Sequence, residues 1–353
     1  MTASVSLPHP DAEDVRPVIR DLEQAEPQKS GKDDEPPELN FWTLKTMGLP
    51  LQAFAYGFVS TSLNSTIYGF FFGYLGMKSD TLLALTSSLS LIVVFMLPFG
   101  LLSDCLPLFG YRRKSYMMLA WVMCLVSLMT MLLEELPDPY YCKNSDGSYN
   151  YYVEPCNPHA RVMGYAFGWK LFLVVLGLTF ACCAREALIV DYSKKEPAAT
   201  RGKTKVAMTM LVVAGNCMAS IYIGLCMNGK EYLGTSNWTL SFHEIVLSLV
   251  VLITLLLPTI WYTTAEDQFR DHQPLKQHLR GSWKLLEAKS FILVLVFAFG
   301  SQFLVSIQST ASGNVAMVWA GVQNMQVQMT KLTSNFLHIF GLWLVKTHLL
   351  QAS

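Results

Sequence analysis

The sequence is short of charge. Only 15% of its 353 residues are Asp, Glu, Lys or Arg, against about 25% in an ordinary soluble domain, and this argues against a soluble enzyme. Its 26 basic and 26 acidic side chains cancel, so net charge gives no ground for nucleic-acid binding. Eight cysteines are too few for a disulfide scaffold. Five of them, Cys124, Cys182, Cys183, Cys217 and Cys226, lie in apolar stretches with no zinc spacing, and are expected to pack as small hydrophobes. No Walker lysine motif is present, so ATP is not the expected energy source; no cofactor or metal is expected. Residues 1–40 hold no Phe, Tyr or Trp but six prolines and a run of acids that includes Asp33, Asp34 and Glu35. Such a segment buries too little apolar surface to offset the entropy of ordering and is expected to be a disordered cytoplasmic tail.

What the sequence has is long apolar runs beyond residue 40. A spanning helix needs about 20 mostly apolar residues to cross roughly 30 Å of hydrocarbon. Eight stretches reach or approach that length: 48–76, 81–103, 115–133, 162–184, 206–228, 242–263, 290–308 and 327–349. The expected fold is therefore an all-α polytopic membrane protein. Helix 1 is dotted with Gln52, Ser60, Ser62 and Asn64, and helix 8 is interrupted by Lys331, His338 and Lys346.

Lys and Arg in short loops set orientation. The loops after helices 2, 4 and 6 hold fourteen basic residues, among them Arg112, Arg113, Lys114 and Arg185, against four (Lys78, Lys143, Arg161, Lys230) after helices 1, 3, 5 and 7. This bias places the N-terminus in the cytoplasm and the odd-numbered loops outside. Cys142 and Cys156 share the loop after helix 3; outside the cell they could form a disulfide, the alternative being two unpaired thiols. Asn237-Trp238-Thr239 is a glycosylation sequon in the next outer loop.

The most informative stretch joins helices 2 and 3: Gly100-Leu101-Leu102-Ser103-Asp104, then Gly110-Tyr111-Arg112-Arg113-Lys114. Gly100 permits close helix approach, Asp104 ends helix 2 and Gly110 allows a tight turn. Read from spacing alone, the basic cluster is a headgroup anchor or a partner for Asp104. The stretch resembles the loop 2–3 motif of the major facilitator superfamily. In its longer form, with five residues between Asp104 and Gly110, it is similar to that of the folate–biopterin transporter family. Glu186-Ala187-Leu188-Ile189-Val190-Asp191 resembles that family's Asp-Ala-Leu-Val-Val-Glu segment with the acids exchanged.

The resemblance implies a twelve-helix carrier of two six-helix halves. On that plan residues 41–263 are the first half, 264–289 a cytoplasmic linker and 290–353 a partial second half ending after helix 8, as in a C-terminally truncated product. The implied function is secondary transport of folate, biopterin or a related pteridine by alternating access, with a proton as a candidate coupling ion. The competing expectation is a non-transporting chain that assembles with or regulates a full-length homologue. A membrane enzyme is not expected, because no His, Asp or Ser constellation lies near an interface. The expected setting is the plasma membrane, and the expected partners are the lipid bilayer and a small pteridine or folate, not nucleic acid.

Polar groups at membrane depth are costly and usually face water or a ligand. Lys170 is the candidate for an anionic substrate group, and Gln52, Asn64, Asn216 and Gln302 for the edges of a pterin ring; amides that tie helices together are the alternative. Gly100, Asp104, Gly110, Arg112, Arg113, Lys114, Arg185, Glu186 and Asp191 are the candidate gating set. Arg185 and Glu186 point about 100° apart on a helix, so they are not expected to pair with each other. Arg185 to Asp104, or Glu186 to the Arg112–Arg113 cluster, is the expected bridge. His338 is the candidate proton carrier, or a packing residue.

Overall fold

The computed structural model describes residues 43, 46–145, 147–194, 196, 202–266, 283, 287–305, 307, 315 and 319–349, and of residues 302, 305 and 349 the backbone alone. They belong to the second of two compact units, Leu39–Ser353. The expected tail at 1–40 and most of the expected linker lie outside the described residues.

Among the described residues, eight helices lie where the apolar stretches are. Helix α1 is Gly48–Thr66 and continues as a π-helical segment, Ile67–Tyr74. Helix α2, Ser79–Cys105, contains a 3-10 turn at Ile92–Phe95. Next come α3 (Lys114–Leu132), α4 (His159–Ser193), α5 (Lys203–Cys226), α6 (Phe242–Thr263) and α7 (Lys289–Val305). Helix α8, Asn324–Leu344, ends in a second π segment, Val345–Leu349. Between α3 and α4 a small hairpin pairs β1 (Cys142–Lys143) antiparallel to β2 (Tyr149–Asn150).

Among the described residues five helices, α2 to α6, are long and apolar enough to cross a membrane. The protein is an all-α polytopic membrane protein. Helix α1 misses that standard because hydroxyls and amides interrupt it, yet it lies at the centre: Gln52, Ser62, Ser65 and Thr66 are at most 1% exposed. Helix α2 is the reverse. None of its residues Ser79–Leu91 is buried, and Leu91, Val94 and Leu97 are 66–74% exposed.

In lipid the solvent is as apolar as leucine, so close packing and interhelical hydrogen bonds hold helices together. Small residues supply the close approach. Helices α1 and α5 cross so tightly that a Cβ on Gly57 would run into the Val212 carbonyl and one on Gly215 into the Phe54 carbonyl. A Cβ on Gly177 of α4 would sit 3.0 Å from the Ala120 carbonyl of α3. At the hairpin end of the bundle the Phe70 and Phe242 rings stack at 3.8 Å, with Phe167 edge-on to both. Helix α6 starts with a capping box between Ser241 and Glu244, which satisfies donors its first turn would leave orphaned.

Candidate functional site: a cavity, a charged hub and an inner cation

A cavity of about 840 Å³ lies among α1, α2, α4 and α8. Helix α1 lines it with Ser60, Asn64 and Tyr68, α2 with Thr86, Ser87 and Ser90, α4 with Leu171 and Val175, and α8 with Lys331. The wall therefore mixes hydroxyls and one amide with aliphatic side chains. The Lys331 ammonium meets only neutral oxygens, Ser65 Oγ at 3.1 Å and Asn64 Oδ1 at 3.5 Å. Among the described residues no carboxylate pairs with it. A cation so placed is costly unless an anion joins it. Below it on the same helix, Asn324 donates to the Met227 carbonyl at 2.7 Å, and Gln328 to Asn324 Oδ1 at 3.1 Å and the Ser65 carbonyl at 3.5 Å. These bonds dock α8 against α5 and α1 and hold Lys331 at the cavity.

The sequence-expected ligand residues divide. Asn64 lines the cavity. Asn216 sits in the α1–α5 seam, its amide 2.9 Å from Thr61 Oγ1 and oriented to donate to the Gly57 and Val212 carbonyls, so here it is an interhelical tie. Gln52 is fully buried, and among the described residues neither amide atom has a hydrogen-bond partner. Lys170 is away from the cavity lining; its ammonium is bound to Glu134 of the α3 end and to the Thr130 carbonyl at 3.1 Å. The side chain of Gln302 lies outside the described residues. His338 is on the exposed face of α8.

At the opposite end from the hairpin, the loop between α2 and α3 forms a charged hub. Gly110 takes φ +79° with open space where a Cβ would be, a conformation that glycine adopts without strain. Asp104 Oδ1 accepts from Arg112 Nη2 at 2.6 Å and also binds Arg113. Arg113 donates further to Ser103 Oγ at 2.6 Å, and its Nε lies 3.8 Å from Asp191 Oδ2 of α4. Glu266, just beyond α6, places its carboxylate over the first turn of α3. It accepts the backbone N–H groups of Arg112 at 3.0 Å, Arg113 at 2.9 Å and Lys114 at 2.7 Å. An anion suits these orphan donors and the positive end of the helix dipole. Lys114 is buried rather than spread on headgroups, its ammonium 5.1 Å from the Tyr111 ring and 5.2 Å from that of Trp261. The hub thus ties the ends of α2, α3, α4 and α6 together.

Arg185 and Glu186 correct the expectation drawn from the helix wheel. They do pair: Arg185 Nη2 lies 2.9 Å from Glu186 Oε1, because a guanidinium on a three-carbon stem reaches across the angle between neighbours. Glu186 also binds Lys205 of α5. Neither expected bridge forms; Asp191 takes the place of Glu186 beside Arg113. Gly100 faces the Cys183 thiol of α4, 3.6 Å from where its Cβ would be.

At the hairpin end, Cys142 and Cys156 are joined by a disulfide. The loop it closes is tied down by Tyr140 N–H to the Tyr74 carbonyl at 2.9 Å, Tyr149 Oη to the Glu231 carbonyl at 2.8 Å and Lys143 to Glu231 at 3.0 Å. Burial pushes the phenols of Tyr141 and Tyr149 up, and that of Tyr151 up to about 12. Asn237 is exposed in the α5–α6 loop.

Sequence reasoning missed Lys331 and Glu266. The signal for Lys331 was its spacing from Asn324 and Gln328, a polar stripe at i, i+4 and i+7 on one helical face. For Glu266 no local signal exists, since its partners lie about 150 residues earlier.

No curated protein and no solved structure matches the chain. Residues 55–137, which run from α1 through the hub loop to just past α3, match the model of the BT1 family.

Proposed function

We propose that this chain is a secondary transporter of folate, biopterin or a related pteridine, moving it across a membrane with its N-terminus in the cytoplasm. The observation that carries this reading is the roughly 840 Å³ cavity whose one cation, Lys331, has no carboxylate among the described residues. A cavity of this size is of the order that holds a small organic ligand. A pterin edge needs donors and acceptors, which Asn64, Ser60 and Thr86 offer, and a carboxylate needs a cation, which Lys331 offers. The BT1 match over the segment that contains the hub loop and the charged ties at the hub support the alternating-access mechanism. In it, Asp104, Arg113, Asp191 and Glu266 hold the cytoplasmic ends of the helices together while the other side is open.

Uptake of labelled folate and labelled biopterin into liposomes reconstituted with the purified chain tests this. Wild type should accumulate at least one of them. Lys331→Gln should lower folate uptake at least tenfold and biopterin uptake less, since biopterin has no carboxylate. Uptake of neither ligand by correctly inserted protein would overturn the reading.

A further inference from the structure

We infer that the ends of α1 and α4 nearest the hub hold a second, buried carboxylate-binding site, built by Arg185 and Gln52 and guarded by Glu186. It deepens the carrier reading by giving the organic anion a station apart from Lys331. Arg185 is 3% exposed, and among the described residues only its Nη2 is hydrogen-bonded, to Glu186 and to Cys182 Sγ at 3.2 Å. Its Nε and Nη1 are buried without an acceptor. The guanidinium lies 4.5 Å from the Tyr56 ring of α1. Gln52, one helical turn before Tyr56 and so on the same face of α1, is 0% exposed with both amide atoms unpartnered. Buried polar atoms are almost always satisfied. Here two side chains, one against the Tyr56 ring and the other a turn away from it on α1, leave donors and an acceptor open.

A guanidinium binds a carboxylate best through two parallel N–H bonds. Nη2 gives one N–H to each of the two forks that Arg185 can offer, and its acceptors are Glu186 and the weakly accepting Cys182 Sγ, so an incoming carboxylate displaces the thiol or Glu186 and in either place competes with the negative charge of Glu186. Glu186 can yield without becoming an unpaired charge, because it also binds Lys205, which is half exposed. The arrangement is an exchange of one carboxylate for another on a fixed cation. The substrate class is a carboxylic acid, since the internal occupant is itself a carboxylate.

The test uses the purified full chain in lipid nanodiscs, with glutarate as probe and uncharged glutaramide as control. The unfolding temperature is followed against probe concentration, because a ligand that binds only the folded state raises it. Glutarate should stabilise wild type and glutaramide should not. The half-saturating glutarate concentration should rise at least tenfold in Arg185→Gln and in Gln52→Leu, and fall about tenfold in Glu186→Gln, where the internal competitor has lost its charge. If Arg185→Gln does not fold, Gln52→Leu decides, since it leaves the Arg185–Glu186 pair in place. Because glutarate can also meet Lys331, the series is repeated in a Lys331→Gln background, where the shifts caused by Gln52→Leu and Glu186→Gln should persist. A response lost in Lys331→Gln but unchanged in Gln52→Leu and Glu186→Gln would overturn the second site and leave the carrier reading standing. No response in either wild type or Glu186→Gln would also overturn it.

Discussion

Helices α1 and α2 invert the pattern of a water-soluble protein. Helix α1 carries Gln52, Ser62, Ser65 and Thr66 and buries them all. Helix α2 carries Leu91, Val94 and Leu97 and exposes them. In water, the second arrangement would leave a large apolar face uncovered. In a bilayer lipid can solvate such a face, and it is polar groups that need protein or an aqueous cavity around them. The helix that fails an apolarity test is thus the one that builds the site. Helix α8 obeys the same rule, bringing Asn324, Gln328 and Lys331 to α1 and α5 while Phe336, Leu337 and Phe340 face outward.

The contrast can be broken at either helix. A charge in the middle of the lipid-facing side of α2, Val94→Arg, should cost about 2.5–3.5 kcal/mol of insertion free energy. An insertion assay that counts glycosylated spans would read it as a fall in the inserted fraction. At the buried seam the expected effect is somewhat smaller. Gly57→Ala forces α1 off the Val212 carbonyl and should destabilise the fold by about 1–3 kcal/mol, measured by denaturant unfolding in detergent micelles. Glu266→Ala strips the acceptor from three N–H groups at the start of α3. The loss should be about 0.5–2 kcal/mol, in the range of other helix caps, and Glu266→Gln should recover part of it. The smallest change belongs to the outward face: Gly341→Ala in α8 meets nothing within 4 Å and should stabilise by about 0.5–1 kcal/mol through helix propensity. A Gly57→Ala variant as stable as Gly341→Ala would mean that α1 and α5 do not cross at their glycines.

Much of this was written in short-range sequence. The eight described helices fall on stretches that reach or approach membrane length, and Asp104 with Arg112 and Arg113 follows from residues fewer than ten apart. Longer-range partners were not legible. Lys331 reads in a linear sequence as a flaw in helix 8 and becomes a site only when α8 packs beside α1. Lys170 reads as the deepest free cation until Glu134, just past the end of α3, is seen to hold it. The helix wheel misled for Arg185 and Glu186 because it tracks Cα directions and ignores side-chain length. Polar residues in a helix thus declared that they face something other than lipid, but not whether that something is a neighbouring helix, as for Asn216, or a cavity, as for Asn64.

The most direct test separates those two surroundings by water access. Single cysteines at Asn64 and at Val94, in a background free of other reactive thiols, would be exposed to a charged, membrane-impermeant thiol reagent in liposomes. Asn64→Cys should label, and folate should slow its labelling, while Val94→Cys should stay unlabelled in lipid. Labelling of Val94→Cys with no reaction at Asn64→Cys would contradict the placement of the cavity and of the lipid-facing surface alike.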